Sequence, residues 1–234
     1  RRLTDKPTSA AVSAFLKRVQ TMPAVRAGSG RRGRLLFTVD ATASRQPTWD
    51  RACFLTGHMF EATRALGGLS MSLAYYRGYG EFMATPWLSD MDEITRRMTT
   101  VSCLGGQTQI QKVLDHAIAE TRKERVNALV FIGDAVEENV DALAHRAGEL
   151  GMLNCPGFFF HEGGDPFVER CFRELARLSG GAYAPFDLSS ADTLRDLLAA
   201  VAVYAAGGRE ALSRLPAQKS GAAALLTHQL AGRR

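Results

Sequence analysis

Two apolar runs, each closed by an aspartate, constrain this chain more than any other feature. One is Arg34-Leu35-Leu36-Phe37-Thr38-Val39-Asp40; the other is Ala128-Leu129-Val130-Phe131-Ile132-Gly133-Asp134. A near-continuous apolar run of strand length is what a strand covered on both faces requires. Helical patterns alternate with such runs along the chain, which predicts an α/β fold: a mostly parallel sheet with helices on both faces. In an open sheet of this kind, ligands bind in the crevice at the carboxyl ends of the strands. Asp40 and Asp134 are therefore expected at one edge of the sheet.

The remaining elements follow from periodicity and punctuation. Residues 8–20 read as an amphipathic helix, with Val12, Phe15, Leu16 and Val19 at helical spacing, and 24–33 as a Gly- and Arg-rich linker. Pro47 opens a long helix to about 66, where its missing N–H costs nothing. Strands are expected at 69–76 and 79–84, the second antiparallel, then a helix at 89–99 capped by Ser89. Thr108 is expected to open a helix to Lys123, followed by a strand at 127–132 and a helix at 139–150. A strand at 152–160, a helix at 166–178, a short strand at 182–185 and a helix at 191–206 complete the pattern. The organisation expected is a basic helix and linker over 1–33, the domain over 34–206, and a basic tail over 207–234 with a helix near 217–230.

Three segments carry the chemistry. The first apolar run continues as Asp40-Ala41-Thr42-Ala43-Ser44, the turn Gly105-Gly106-Gln107-Thr108 presents a hydroxyl, and the second run ends in Asp134. Asp40, Thr42, Ser44, Thr108 and Asp134 offer two carboxylates and three hydroxyls, with no His or Cys. Oxygen-only donors suit a hard cation, Mg²⁺ or Mn²⁺. Taken singly, each piece is an ordinary loop, turn or cap; the argument rests on their combination.

That combination resembles the metal-ion-dependent adhesion site of von Willebrand factor A (vWA) domains, over roughly residues 34–206. The first element there is D-x-S-x-S, and Thr42 stands here for its first serine. The resemblance implies a Rossmann-like vWA fold with strand order 3-2-1-4-5-6, only the third strand antiparallel. It further implies that Thr42, Ser44 and Thr108 are direct metal ligands and that Asp40 and Asp134 are outer or switching ones. An Asp or Glu from a protein partner would complete the coordination. The function so implied is a scaffold or regulatory domain, not an enzyme.

Other chemistries fit less well. A haloacid-dehalogenase phosphatase needs a second acid two residues after the first, where Thr42 stands. A receiver domain needs paired acids upstream, and a serine hydrolase needs a G-x-S-x-G elbow. None is present. A metal-dependent hydrolase is another reading: no general acid or base stands out for it, although His161 and Glu162, in a loop running to Asp165, are placed on the same sheet edge. Arg45 and Gln46 flank the site as partner-contact or plainly exposed residues, and Glu137 and Glu138 complement a helix dipole.

Charge is uneven. Residues 1–34 hold seven Arg and two Lys against one Asp, and 207–234 hold four Arg and one Lys against one Glu, in a chain of net charge +5. The middle is therefore acidic. Basic ends allow a second reading, in which they contact nucleic acid while the metal domain contacts protein. Cys53, Cys103, Cys155 and Cys171 form no C-x-x-C and read as free thiols of a reducing, cytoplasmic compartment. No apolar run is long enough to span a membrane.

Overall fold

The computed structural model describes residues 14–15, 17–19, 21, 32–63, 68–186 and 191–213. The described positions between 14 and 21 are helical and are called α1. Then follow β1 (Gly33–Asp40), a 3-10 turn (Ala43–Arg45), α2 (Gln46–Thr63), β2 (Leu69–Arg77), β3 (Glu81–Ala84), α3 (Met91–Thr99) and α4 (Ile110–Lys123). The second half is β4 (Ala128–Gly133), α5 (Val140–Met152), β5 (Gly157–Glu162), α6 (Pro166–Leu178), β6 (Ala182–Phe186) and α7 (Ala191–Ser213). The sheet order is β3-β2-β1-β4-β5-β6. Every pairing is parallel except β2 with β3.

Each residue of β1 is buried, because helices cover both sides of it. The side chains divide by parity, as a pleated strand demands. Leu35, Phe37 and Val39 join Val130, Ile132, Phe158 and Phe160 in a core shared with α1, α2, α3 and α7. Leu36 joins Leu129, Phe131 and Phe159 in a second core with α4, α5 and α6. In the first core, Phe15 of α1 stands edge-on to Phe158 and Phe160, at 6.1 and 5.5 Å between ring centroids. The amino-terminal helix thus seals part of the sheet through Phe15 and Val19, while its other described side chains are exposed. The tail helix expected near 217–230 lies outside the described residues.

Local chemistry moves several boundaries. Asp90, not Ser89, caps α3, accepting from the Asp92 amide at 2.9 Å. α4 begins at Ile110, not Thr108, so Thr108 lies in the loop that leads into the helix. α5 continues through Met152, and the strand expected from 152 starts at Gly157. Between them Asn154 turns the chain in the left-handed region, φ 56°, where asparagine is tolerated better than most residues. His161 and Glu162 belong to β5 rather than to a loop. α7 runs past 206 to Ser213, with a break at Gly208, φ 68°. Among the described residues, no helix is long and apolar enough to cross a membrane.

Candidate metal centre

β1 lies between β2 and β4. The chain leaves β1 toward β2 on one side and crosses back to β4 on the other. The sheet's crevice therefore opens between the carboxyl ends of β1 and β4, the expected ligand position in an open α/β sheet. Asp40 is the last residue of β1, and Asp134 follows the last residue of β4. Thr42 and Ser44 lie in the turn after β1, and Thr108 just ahead of α4. The 101–109 loop is tied beside them, with the Leu104 amide donating to Ala41 O at 3.0 Å and the Gln107 amide to Gly78 O at 3.3 Å. A β-carbon on Gly106 would stand 2.0 Å from Gly78 O, so only glycine permits this approach.

The five candidate residues share an edge but are held in different ways. Asp40 is 1% exposed. Its Oδ1 accepts from the Thr42 amide at 2.7 Å, while its Oδ2 is buried with no hydrogen-bond partner. Burial pushes this carboxyl up to about 6; the Thr42 amide and hydroxyl counter the rise, Asp134 adds to it, and the Tyr76 hydroxyl counters it slightly. The neighbouring Tyr76 hydroxyl is likewise buried and unpartnered at hydrogen-bonding geometry. Burial, and then Asp40, Glu138 and Asp134, hold that phenol well above its usual range. Thr42 is half-buried and Ser44 exposed.

Thr108 and Asp134 are engaged with protein groups. The Thr108 hydroxyl donates to Glu138 and accepts from the Glu137 amide at 3.0 Å, and its own amide donates to Glu137 Oε2 at 2.7 Å. Glu138 also accepts from the Gln111 amide at 3.1 Å. Glu138 therefore caps α4 across the crevice, and Glu137 holds the loop residue Thr108 ahead of it, whereas Asn139 caps α5. Glu138 thus complements the dipole of α4 rather than of the helix that follows it, and Glu137 sits at no helix terminus. Asp134 Oδ2 faces Arg45 Nη2 at 3.1 Å.

Arg45 is where sequence reading failed. It is 8% exposed, not a surface residue. Besides Asp134 it pairs through Nη1 with Glu162, and its Nε reaches Ser44 Oγ at 3.5 Å. Thr48 donates to the same Glu162 oxygen. Glu162 ends β5 at the sheet's carboxyl edge, and that position was the signal available for it. Gln46 is half-buried, its side-chain oxygen accepting from the Cys103 amide at 3.0 Å. His161 is buried, with Nδ1 3.1 Å from the Tyr183 hydroxyl and Nε2 unpartnered; burial lowers its pKa.

Among the described residues, no three His, Cys, Asp or Glu side chains converge as a metal-holding group, and all four cysteines are free. A cation here would depend on two carboxylates and on hydroxyls. Asp40 Oδ2 fits one: it makes no hydrogen bond of good geometry, the nearby Tyr76 hydroxyl offsets only part of the cost of its burial, and a buried carboxylate so placed is costly unless a positive charge meets it. Hard oxygens alone in the donor set fit Mg²⁺ or Mn²⁺.

No protein-family profile and no curated sequence matches the chain. Solved structures do. The SpRpn10 VWA domain superposes with a TM-score of 0.56 at 11% identity, over 72% of this chain and 94% of that one. The pilus adhesin SpaC from Lactobacillus rhamnosus GG gives 0.58 at 9% identity, over 80% of this chain and 30% of that one. The PilB minor pilin from Streptococcus sanguinis gives 0.56 at 8%, over 75% and 62%. The chain has the von Willebrand factor A fold.

Proposed function

We propose that this vWA-fold protein is a docking module that grips a carboxylate of a protein partner through a divalent cation, Mg²⁺ or Mn²⁺, at the crevice between β1 and β4. The observation that carries the reading is the buried, unpartnered Asp40 Oδ2, one residue from a turn rich in hydroxyls and beside a second carboxylate. Asp40, Thr42 and Ser44 would hold the cation from one turn, with Asp134 and Thr108 completing the ring. The cation would supply Lewis acidity toward an incoming Asp or Glu. Around the crevice the protein offers apolar surface: Leu104 is 45% exposed and Tyr79, beside Gly78, is 85% exposed. A buried charge contact ringed by such groups suits protein recognition. The four free thiols fit a reducing compartment, the cytoplasm. The role proposed is binding, not catalysis.

The test has two stages. Mn²⁺ is titrated into the protein and free ion is followed by electron paramagnetic resonance; Asp40→Ala should reduce affinity by about a hundredfold or more, since the ion loses a charged ligand. Proteins retained by the immobilised chain in Mg²⁺ should then be released by EDTA and absent from the Asp40→Ala column. Undiminished Mn²⁺ binding by Asp40→Ala sinks the site. Retention indifferent to EDTA sinks the cation bridge.

A further inference from the structure

The loop read as a cation trap carries a cation of its own. Arg45 follows Ser44 directly, and its amide donates to Thr42 O at 2.9 Å within the 3-10 turn. That turn sends the side chain inward, not out to solvent. The guanidinium there contacts Ser44 and Asp134, two of the five candidate ligands, and also Glu162. A guanidinium stays charged at every physiological pH, and its planar fork engages two acceptors at once. Asp134 cannot give its full charge to a second cation while it neutralises this one.

Glu162 has the opposite character. It is held from a second direction by Thr48, on the first turn of α2, and it sits on the end of β5, a strand paired on both sides. Its carboxylate is a fixed post. Arg45 can stay paired with it whether or not Asp134 remains in contact.

We infer that Arg45 is a resident competitor that sets which cations the crevice accepts: its guanidinium holds Asp134 until a dication claims that carboxylate, and Glu162 retains the guanidinium when it does. This rests on the cation reading above and deepens it. A monovalent ion offers Asp134 no more charge than Arg45 already supplies. A dication does, so the arrangement selects doubly charged ions. The energetic cost of exchange is small because Arg45 keeps one carboxylate throughout and never becomes an unpaired buried charge.

Mn²⁺ affinity of the whole chain tests the inference in Arg45→Gln, Arg45→Met, Glu162→Gln and the Arg45→Gln/Glu162→Gln pair, each checked for native circular dichroism. Removing a unit charge at contact distance from a ligand should tighten binding about tenfold or more. Glu162→Gln should weaken binding more in the presence of Arg45 than in the Arg45→Gln background, a coupling that a double-mutant cycle isolates. Unchanged or weaker affinity in folded Arg45→Gln and Arg45→Met overturns the competitor. Equal penalties for Glu162→Gln in both backgrounds overturn its holding role. Unmodified protein gives a further readout. The Arg45 Nε–H resonance should shift during a Mg²⁺ titration that shifts the Asp40 amide; a stationary Arg45 signal overturns the exchange. Binding by the wild type that Asp40→Ala abolishes but Arg45→Gln does not tighten defeats this inference alone. No Mn²⁺ binding by wild type or by Arg45→Gln defeats the cation reading and this inference with it.

Discussion

Strand β1 carries a buried charge near each end, and the two ends treat it differently. At the amino end, Arg34 lies over the Trp87 ring at 3.9 Å, donates to Glu124 O at 2.6 Å and approaches Glu120 and Glu124 at 3.7 and 3.3 Å. Its backbone exchanges bonds with Asn127, amide to Oδ1 and carbonyl to amide, both at 2.8 Å. Two strands along the same edge, Ser179 Oγ accepts from the Gly157 amide at 3.1 Å and donates to Leu175 O at 2.8 Å. At the carboxyl end, Asp40 Oδ2, the Tyr76 hydroxyl and His161 Nε2 are buried without partners. One sheet is therefore matched at its amino edge and left polar and unmatched at the other. Folding does not reward unmatched groups, so the contrast locates where the protein has been shaped by something besides stability.

The sharpest way to break this contrast is Asp40→Asn. A folded carboxyl raised to about 6 from 3.8 binds its proton more tightly than the unfolded chain does. Stability is thus full below the unfolded pKa and is lost as pH rises through the folded one. The neutral amide escapes that loss. In EDTA, Asp40→Asn should be more stable than wild type by up to about 3 kcal/mol above pH 6, with the gain fading toward pH 4. Denaturant melts across that range check it. A destabilised Asp40→Asn at pH 7 would mean that the carboxylate is satisfied after all.

A second comparison uses two glycines. A β-carbon on Gly181, near the amino edge, would stand 1.8 Å from Gly157 O, and one on Gly106, at the crevice, 2.0 Å from Gly78 O. Alanine at either should cost about 1–3 kcal/mol through forced backbone separation. Only Gly106→Ala should also weaken Mn²⁺ binding, because it displaces the loop bearing Thr108. Equal Mn²⁺ affinities for the two variants would detach that loop from the site. The smallest effect belongs to Ser179→Ala, which should cost about 1–2 kcal/mol by orphaning the buried Gly157 amide and leave cation binding unchanged.

How legible was this in the sequence? The strands were, because burial on both faces leaves an apolar run too short to be a helix and ended by Asp or Gly. The strand order came from the resemblance to vWA domains, and the structure has that order. The amino limit of β5 was not legible: Met152 and Leu153 continue the apolar run, yet Met152 completes α5. Helix starts slipped by two residues where two capping residues compete, as Ser89 and Asp90 do. The positions of Asp40 and Asp134 followed from topology. The inward turn of Arg45 did not. Whether an arginine beside a loop faces water depends on a carboxylate more than a hundred positions later, Glu162, whose own placement required β5 to be in register.

The strand order has a consequence in time. Asp40 and Asp134 sit on neighbouring strands, yet α2, β2, β3, α3 and α4 lie between them in sequence. As the chain emerges from the ribosome, β1 can pair with β2 early but must wait for β4 with its other edge bare. Long-range parallel pairing of this kind is slow, since loop closure precedes any reward. During that wait the crevice has only one wall. A nascent or truncated chain ending before β4 presents Asp40 and its hydroxyls without Asp134, Glu162 or the glutamates that hold Thr108. The recognition proposed above would thereby be confined to molecules whose synthesis has passed the fourth strand and, for Arg45 to pair with Glu162, the fifth.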